Sequence, residues 1–189
     1  WSTNPLMPEP PVEVLKGFLI DMNVESLGHR RWLLDPFLKK ISYGAVHGMP
    51  FSPGNFPYAY AAALQVIHED KADISMMPVG YVAYPVGDYP GSYFDKSWYL
   101  SFSALVDTND SWNNHGVDVA EVKVTVTDNN GTSLTVYDLK SDNAYMGLAN
   151  NVQWKVQGLQ DNVTYTVHVW NLFYQGSPLD YSYTFSINP

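Results

Sequence analysis

The sequence predicts an α+β protein in which a mixed layer of helices and strands precedes an all-β sandwich. Apolar residues recur at helical spacing near the start of the chain, which indicates an amphipathic helix. Beyond residue 98, six short segments alternate apolar and polar residues, which is typical of an antiparallel sandwich. Closely spaced prolines and glycines between these parts predict an extended connector. The expected boundaries are 1–83 for the mixed part, 84–97 for the connector and 98–189 for the sandwich.

The mixed part begins with the segment PVEVLKGFLIDM, which predicts one helix. Pro11 suits its first turn, and five apolar side chains recur at helical spacing: Val14, Leu15, Phe18, Leu19 and Met22. A second short helical turn is expected from Leu27 to Leu34. It should end before Pro36, because the residue that precedes a proline is disfavoured in the α region. The segments KKISYGAVHG and YAYAAALQVIHED, on either side of a loop rich in proline and glycine, predict two neighbouring strands of a small sheet.

The sandwich is predicted from six segments: WYLSFSALVD, VAEVKVTVTD, LTVYDL, VQWKVQG, TYTVHVWNL and YSYTFSI. The Asn-Gly pair in DNNGT supplies the positive φ that a tight hairpin needs. Tyr165, Val167 and Val169 fall on one face of their strand, as in fibronectin- and immunoglobulin-like sandwiches. We therefore expect an immunoglobulin-like sandwich with a role in support or adhesion.

Charge and composition exclude several classes of protein. Nineteen acidic and ten basic side chains give a net charge of −9, so neither nucleic acid nor an anionic membrane is an expected partner. The lack of cysteine excludes disulfides and thiolate metal sites. No run of eighteen apolar residues predicts a membrane span. No signal-peptide pattern begins the chain. Because the chain lacks an initiating Met and Trp1 is followed by the loop-like stretch STNPLMPEPP, we expect a processed or truncated start.

The segment ESLGHRRWLLDPFLKKISYGAV is similar to the second-histidine segment of the bacterial branch of the CAP superfamily, which includes cysteine-rich secretory proteins, antigen 5 and pathogenesis-related proteins. In that branch, Gly-His-Arg is followed by an apolar turn, an Asn- or Asp-Pro pair and a glycine-rich strand. YAAALQVIHE resembles the next central strand, and VAYPVGDYPGSYFDKSWYLSFS resembles the connector to a β-sandwich in some secreted members. The resemblance covers residues 12 to about 103. It implies the C-terminal part of a CAP domain, a partial α/β/α sandwich, in an extracellular or cell-surface protein.

The resemblance also implies a cleft that holds two histidines and two acidic residues and binds a divalent metal in some members. Only His29 matches one of these residues, because the helices that carry the first histidine and its acidic neighbour would lie upstream of residue 1. His29 is thus a candidate ligand for a divalent metal such as zinc, in an incomplete site, since such a metal usually needs at least three protein ligands. Glu25 lies four residues earlier and is able to share a helix face with it.

A purely structural role for His29 is the alternative. In this interpretation its imidazole donates a hydrogen bond to the backbone and orders the turn from helix to strand. Arg30 and Arg31 then either remain in solvent or pair with Asp21 and Asp35.

Five residues are candidates for ligand binding: His29, Glu25, Arg30, Trp98 and Trp112. We expect an exposed aromatic patch that includes Trp98 or Trp112. An aromatic share of 15% is typical of surfaces that contact sugars or peptides, and also of aromatic cores. A further cluster, His68, Glu69 and Asp70, fits a solvated strand end better than a cation site.

Two functions are compatible with these observations. The first is a secreted or cell-surface bacterial protein that binds a cell-wall polymer, a peptide or a protein without catalysis. The alternative is a fragment of a metal-dependent hydrolase or peptidase of CAP type, in which missing upstream sequence completes the cleft. No catalytic residue is assigned, and the sequence favours the binding role.

Overall fold

The structure, a computed structural model, describes most of the chain: residues 10–48, 59–67, 70–78 and 80–189. Two helices come first, α1 (Pro11–Ile20) and α2 (Gly28–Leu33). An antiparallel hairpin of β1 (Ser42–Gly48) and β2 (Ala59–Gln65) follows. These elements confirm the two helices and the two neighbouring strands that the sequence predicts.

The bounds of the first helix follow from local chemistry. Pro11 occupies the first turn, where its missing N–H needs no partner, and Glu13 places a negative charge near the helix N-terminus. α1 ends at Asp21, which takes the left-handed conformation (φ 57°) and donates its N–H to the carbonyl of Gly17 at 2.8 Å. This turn points the chain toward α2.

Nine further strands of the described residues form two larger sheets: β3 (Tyr81–Tyr84), β4 (Gly87–Pro90), β5 (Leu100–Ala104), β6 (Val117–Asp118), β7 (Lys123–Asp128), β8 (Val136–Asp142), β9 (Asn151–Val156), β10 (Thr164–Tyr174) and β11 (Ser177–Asn188). The first sheet has the antiparallel order β3-β5-β9-β8. In the second, β10 pairs with β11 on one side and with β7 and β6 on the other. β4 lies parallel to β11. The protein is therefore mostly β, with several antiparallel sheets.

The segment 84–97, interpreted from the sequence as a connector, belongs partly to these sheets. β3 pairs with β5 in the first sheet, and β4 pairs with β11 in the second, so one short stretch of chain contributes an edge strand to each. A short 3₁₀ turn at Gly91–Tyr93 follows. Prolines and glycines suggested a loop, but edge strands tolerate both residues because only one side of such a strand is hydrogen-bonded.

The core lies between the inner faces of the two larger sheets. Its largest fully buried side chains come from both: Tyr84, Phe102, Trp154, Tyr165 and Phe185. Burying a large apolar side chain contributes about 1.5–3 kcal/mol, so this layer accounts for much of the stability. The Tyr165 hydroxyl also accepts the backbone N–H of Gln160 at 2.8 Å, which fixes the loop that precedes β10.

The helices pack beside this core. Leu19 of α1 and Leu34, directly after α2, contact the same apolar cluster. Among the described residues, the β1–β2 hairpin pairs with no further strand. The three-layer CAP-like arrangement therefore stays a prediction. No helix within the described ranges is long and apolar enough to cross a membrane.

Candidate functional site

His29 lies in the first turn of α2 and is oriented by Asp21. The Asp21 carboxylate accepts the backbone N–H groups of His29 and Arg30 at 3.0 and 3.3 Å, and so caps the start of α2. Its second oxygen lies 2.8 Å from His29 Nδ1, and the ring of Phe18 stacks on the imidazole at 4.7 Å. The imidazole is half exposed. Its Nε2 has no partner within the described part of the chain.

Arg30 does not face solvent, so the expectation of a solvent-exposed side chain is wrong, and its role in ligand binding stays a prediction. The side chain is 1% exposed. Its guanidinium donates to the carbonyls of Leu19, Ile20 and Tyr99 and to a serine hydroxyl, at 2.6–3.3 Å. It also lies 4.1 Å from the ring centroid of Tyr84. Burial lowers the pKa of Arg30 to about 10, although Tyr84 and Asp21 oppose this shift. Arg30 therefore joins α1 to the first sheet.

Arg31 is buried in the same way, on the other side of α2, so the expectation of a solvent-exposed or Asp35-paired arginine is also wrong. Its guanidinium donates twice to the Leu148 carbonyl and once to that of Ala144, at 2.8–3.1 Å. It pairs with Asp142 at 2.8 Å. The two consecutive arginines thus anchor α2 to β5 and to the turn that precedes β9. They dock the helical part on the sandwich.

Two other residues predicted as part of the site, Glu25 and Trp98, lie near Arg30 and Arg31 but do not form a site with His29. The Glu25 carboxylate is mostly exposed and pairs with Lys140 at 3.2 Å. The Trp98 indole donates to the Asp21 carbonyl at 3.0 Å, and Lys155 Nζ lies 4.5 Å from its ring centroid. Trp98 is partly buried and structural in its contacts. It therefore does not share an exposed patch with Trp112.

The described residues hold no group of three or more His, Cys, Asp or Glu side chains that could hold a metal ion. His29 has one carboxylate neighbour, Asp21, which binds its Nδ1. His68 and Glu69 lie outside the described residues. Asp70 is exposed, and its carboxylate is within 4.0 Å of Lys39 and Lys40.

A cleft between the helical part and the sandwich brings together aromatic residues that lie far apart in the sequence. Its volume is about 190 Å³. The lining combines aromatic and charged side chains: Trp32, Phe37, Trp112, His115, Tyr145, Asp35, Asp70 and Lys71. Clefts that combine apolar walls with a few polar groups are the usual sites of small-ligand binding.

Three rings form a continuous aromatic wall on the sandwich side of this cleft. The Tyr145 ring lies 5.4 Å from Trp112 and 4.3 Å from His115, and the Trp112 and His115 rings are 5.7 Å apart. Their planes differ by only 29–46°. Trp112 is 61% exposed and Tyr145 is 69% exposed, which is unusual for side chains of this size. Trp112 and Tyr145 therefore offer exposed ring surface to a ligand.

Charged groups lie on the opposite side of the cleft. Burial raises the pKa of Asp35, although the Phe37 N–H and Lys71 oppose this effect. Lys71 Nζ donates to the Ser111 hydroxyl at 2.9 Å and thereby bridges the two sides. Burial lowers the pKa of His115 as well. Both shifts are in the direction that favours the uncharged form of the group.

Sequence reasoning singled out one aromatic ring of this cleft, Trp112, as a candidate for ligand binding and missed the other rings. Trp32, His115 and Tyr145 are separated by up to about a hundred residues, and no local pattern connects them. The only signal in the sequence was the high share of tryptophan and tyrosine, which does not reveal which rings meet.

Comparisons with known proteins do not change this description. No protein-family model matches the chain, and no curated protein sequence matches it. The resemblance to the CAP superfamily rests on the residues of the Gly-His-Arg segment and its neighbours.

Proposed function

We propose that this chain is part of a secreted or cell-surface bacterial protein that binds a ligand without catalysis, and that the ligand lies in the aromatic cleft. The observation that carries this proposal is the exposure of Trp112 and Tyr145 at its wall. A ligand that covers the exposed part of these rings would gain a share of the roughly 1.5–3 kcal/mol that full burial of a large apolar side chain contributes. A cell-wall polymer, a peptide or a protein would each fit this role.

The sandwich supports the proposal because it is consistent with an immunoglobulin-like scaffold for a binding site. Two packed sheets, with the consecutive edge strands β3 and β4 in different sheets, agree with that class. So does the Tyr165 hydroxyl, which bonds the backbone five residues upstream, at Gln160, like the tyrosine corner of such sandwiches. Sandwiches of this type commonly carry binding sites at their ends and edges.

The CAP resemblance supports an extracellular location in this proposal. The Gly-His-Arg segment forms α2, and the arginines that follow His29 fix it to the sandwich. A CAP-derived segment would then serve here as one wall of a binding cleft.

Sedimentation with purified bacterial cell walls tests the binding role. We expect the wild-type chain to pellet with the walls, and Trp112→Ala and Tyr145→Ala to remain in the supernatant. Tyr137→Ala is the matched control, because Tyr137 is 45% exposed on β8 and does not line the cleft. Equal pelleting of all four proteins would remove the cleft from the proposal, and no pelleting of the wild type would remove the cell wall as its ligand.

A metal-dependent role centred on His29 is a second candidate, favoured by one observation. Asp21 holds His29 Nδ1, which leaves Nε2 as the available nitrogen. Histidines that bind metals usually have a carboxylate or carbonyl on the other ring nitrogen. Further ligands would have to come from outside the described residues.

Zinc titration by calorimetry tests this second candidate. We expect saturable heat that His29→Ala abolishes. His168→Ala is a matched control, because His168 is similarly exposed and its Nε2 lies 2.8 Å from Asp180. No heat above dilution for the wild-type chain, or equal heat for both variants, would contradict a zinc site at His29.

A further inference from the structure

We infer that the ligand of the aromatic cleft is an uncharged saccharide, with one sugar ring stacked on the wall of Trp112, His115 and Tyr145. This inference rests on the binding role proposed above and names the chemical class of the ligand.

The aromatic wall favours a sugar ring as the ligand. The three rings pack against one another with centroids 4.3–5.7 Å apart, and Trp112 and Tyr145 keep most of their surface exposed, so a flat ligand ring is able to stack on either of them. The negative face of an aromatic ring attracts the weakly positive C–H groups that cover one face of a sugar ring. A volume of about 190 Å³ far exceeds the space of one water molecule and suits a single six-membered ring.

The polar groups of the cleft are suited to binding the hydroxyl groups of a sugar. Asp35 and Asp70 offer carboxylate oxygens, while Lys71 offers an ammonium group beside the Ser111 hydroxyl. A sugar hydroxyl both donates and accepts, so it is able to use acceptors and donors that lie close together. This mixture is less suited to a ligand with a single charge, because either sign would meet a like charge.

One segment of the cleft is not free to pair with an extended peptide. Leu38 and Lys71 already form an antiparallel bridge, and the Ala72 N–H donates to the Phe37 carbonyl at 2.9 Å. A peptide that added a strand here would need unpaired backbone groups. This segment of the lining therefore presents side chains, as recognition of a sugar requires.

The net charge of the chain argues against an anionic polymer. At −9 overall, and with two carboxylates against one lysine in the cleft, the protein repels polyphosphates and acidic glycans. Uncharged glycan chains remain as the class that the wall and its polar groups both fit.

Titration with defined oligosaccharides tests the inference. The probes are the tetramer of N-acetylglucosamine and cellotetraose, and binding is followed by tryptophan fluorescence and by saturation-transfer NMR. We expect one of them to bind with saturation. Trp112→Ala should weaken that binding at least tenfold, while Tyr137→Ala should leave it unchanged. Circular dichroism of each variant shows whether it has kept its fold, and Trp112→Phe provides a second variant that keeps an aromatic ring and should retain most of the affinity.

The outcomes separate this inference from the binding role on which it rests. Retention on cell walls that depends on Trp112, without binding of either oligosaccharide, would overturn the saccharide and leave the binding role in place. Saturable binding of a tetralysine or another short peptide, lost in Trp112→Ala, would do the same. If neither cell walls nor any probe binds, both proposals are wrong.

Discussion

Replacement of Arg30 by methionine should destabilise the protein by about 4 kcal/mol, which we derive from its contacts. The substitution leaves three backbone carbonyls, of Leu19, Ile20 and Tyr99, without their donor. Each buried acceptor left unpaired costs about 1–3 kcal/mol. Loss of the guanidinium over the ring of Tyr84 removes roughly 1–2 kcal/mol more.

One effect opposes these losses, because the variant no longer buries a charge. The fall in the pKa of Arg30 from 12.5 to about 10 corresponds to roughly 3 kcal/mol, at 1.36 kcal/mol per pKa unit. The losses exceed this gain, and the net cost remains about 4 kcal/mol. Arg30→Lys should recover only part of the loss, since a single ammonium group cannot reproduce the planar fork of donors.

Urea unfolding followed by circular dichroism measures this difference. Lys39→Met is a suitable control, because the Lys39 side chain is half exposed and its carboxylate neighbour is 3.9 Å away. We expect the control to remain within about 0.5 kcal/mol of wild type. If Arg30→Met also remained within about 1 kcal/mol, our account of this residue as an anchor between helix and sheet would be refuted.

Three further predictions concern single side chains. Gly147→Ala should lower the free energy of unfolding by at least about 2 kcal/mol, because the φ of Gly147 is +76° and a Cβ there would lie 2.6 Å from a carbonyl oxygen. Gly131→Ala is the control: its φ is +80° but the space around it is open, so it should cost less in the same thermal unfolding experiment. Tyr165→Phe should cost about 1–2 kcal/mol by leaving the Gln160 N–H unpaired, and a melting temperature equal to that of wild type would contradict this role. The raised pKa of Asp35 means that its folded carboxyl keeps a proton at a pH where the unfolded one has lost it. The free energy of unfolding of the wild type should therefore fall, relative to that of Asp35→Asn, as the pH rises from about 3.8 through this raised pKa. Parallel curves of unfolding free energy against pH for the two proteins would contradict this prediction.

Local patterns in the sequence predicted local structure well. The helical spacing of apolar residues identified α1, and the proline at position 36 correctly limited α2. Alternation of apolar and polar residues identified the long strands of the sandwich, such as β10. These features depend on neighbours within a few residues, which is the range over which periodicity and turn chemistry act.

Features that depend on distant parts of the chain were missed. Arg30 and Arg31 look like surface residues in the sequence, yet their acceptors belong to Tyr99 and Leu148, about seventy and more than a hundred residues away. A buried arginine requires several carbonyls at one place, and no pattern around residue 30 shows that they will be there. The same limit explains why only Trp112 of the aromatic cleft was identified in advance.

The parallel pairing of β4 with β11 affects how the sandwich would respond to mechanical force. Four residue pairs join these strands, from Gly87 with Phe185 to Pro90 with Asn188. A pull on the chain before β4 and after β11 would act in opposite directions along two parallel strands. The hydrogen bonds between them would then be loaded together, in shear, instead of opening one after another. A load in this direction would therefore meet more resistance than a load that opens the pairs in sequence.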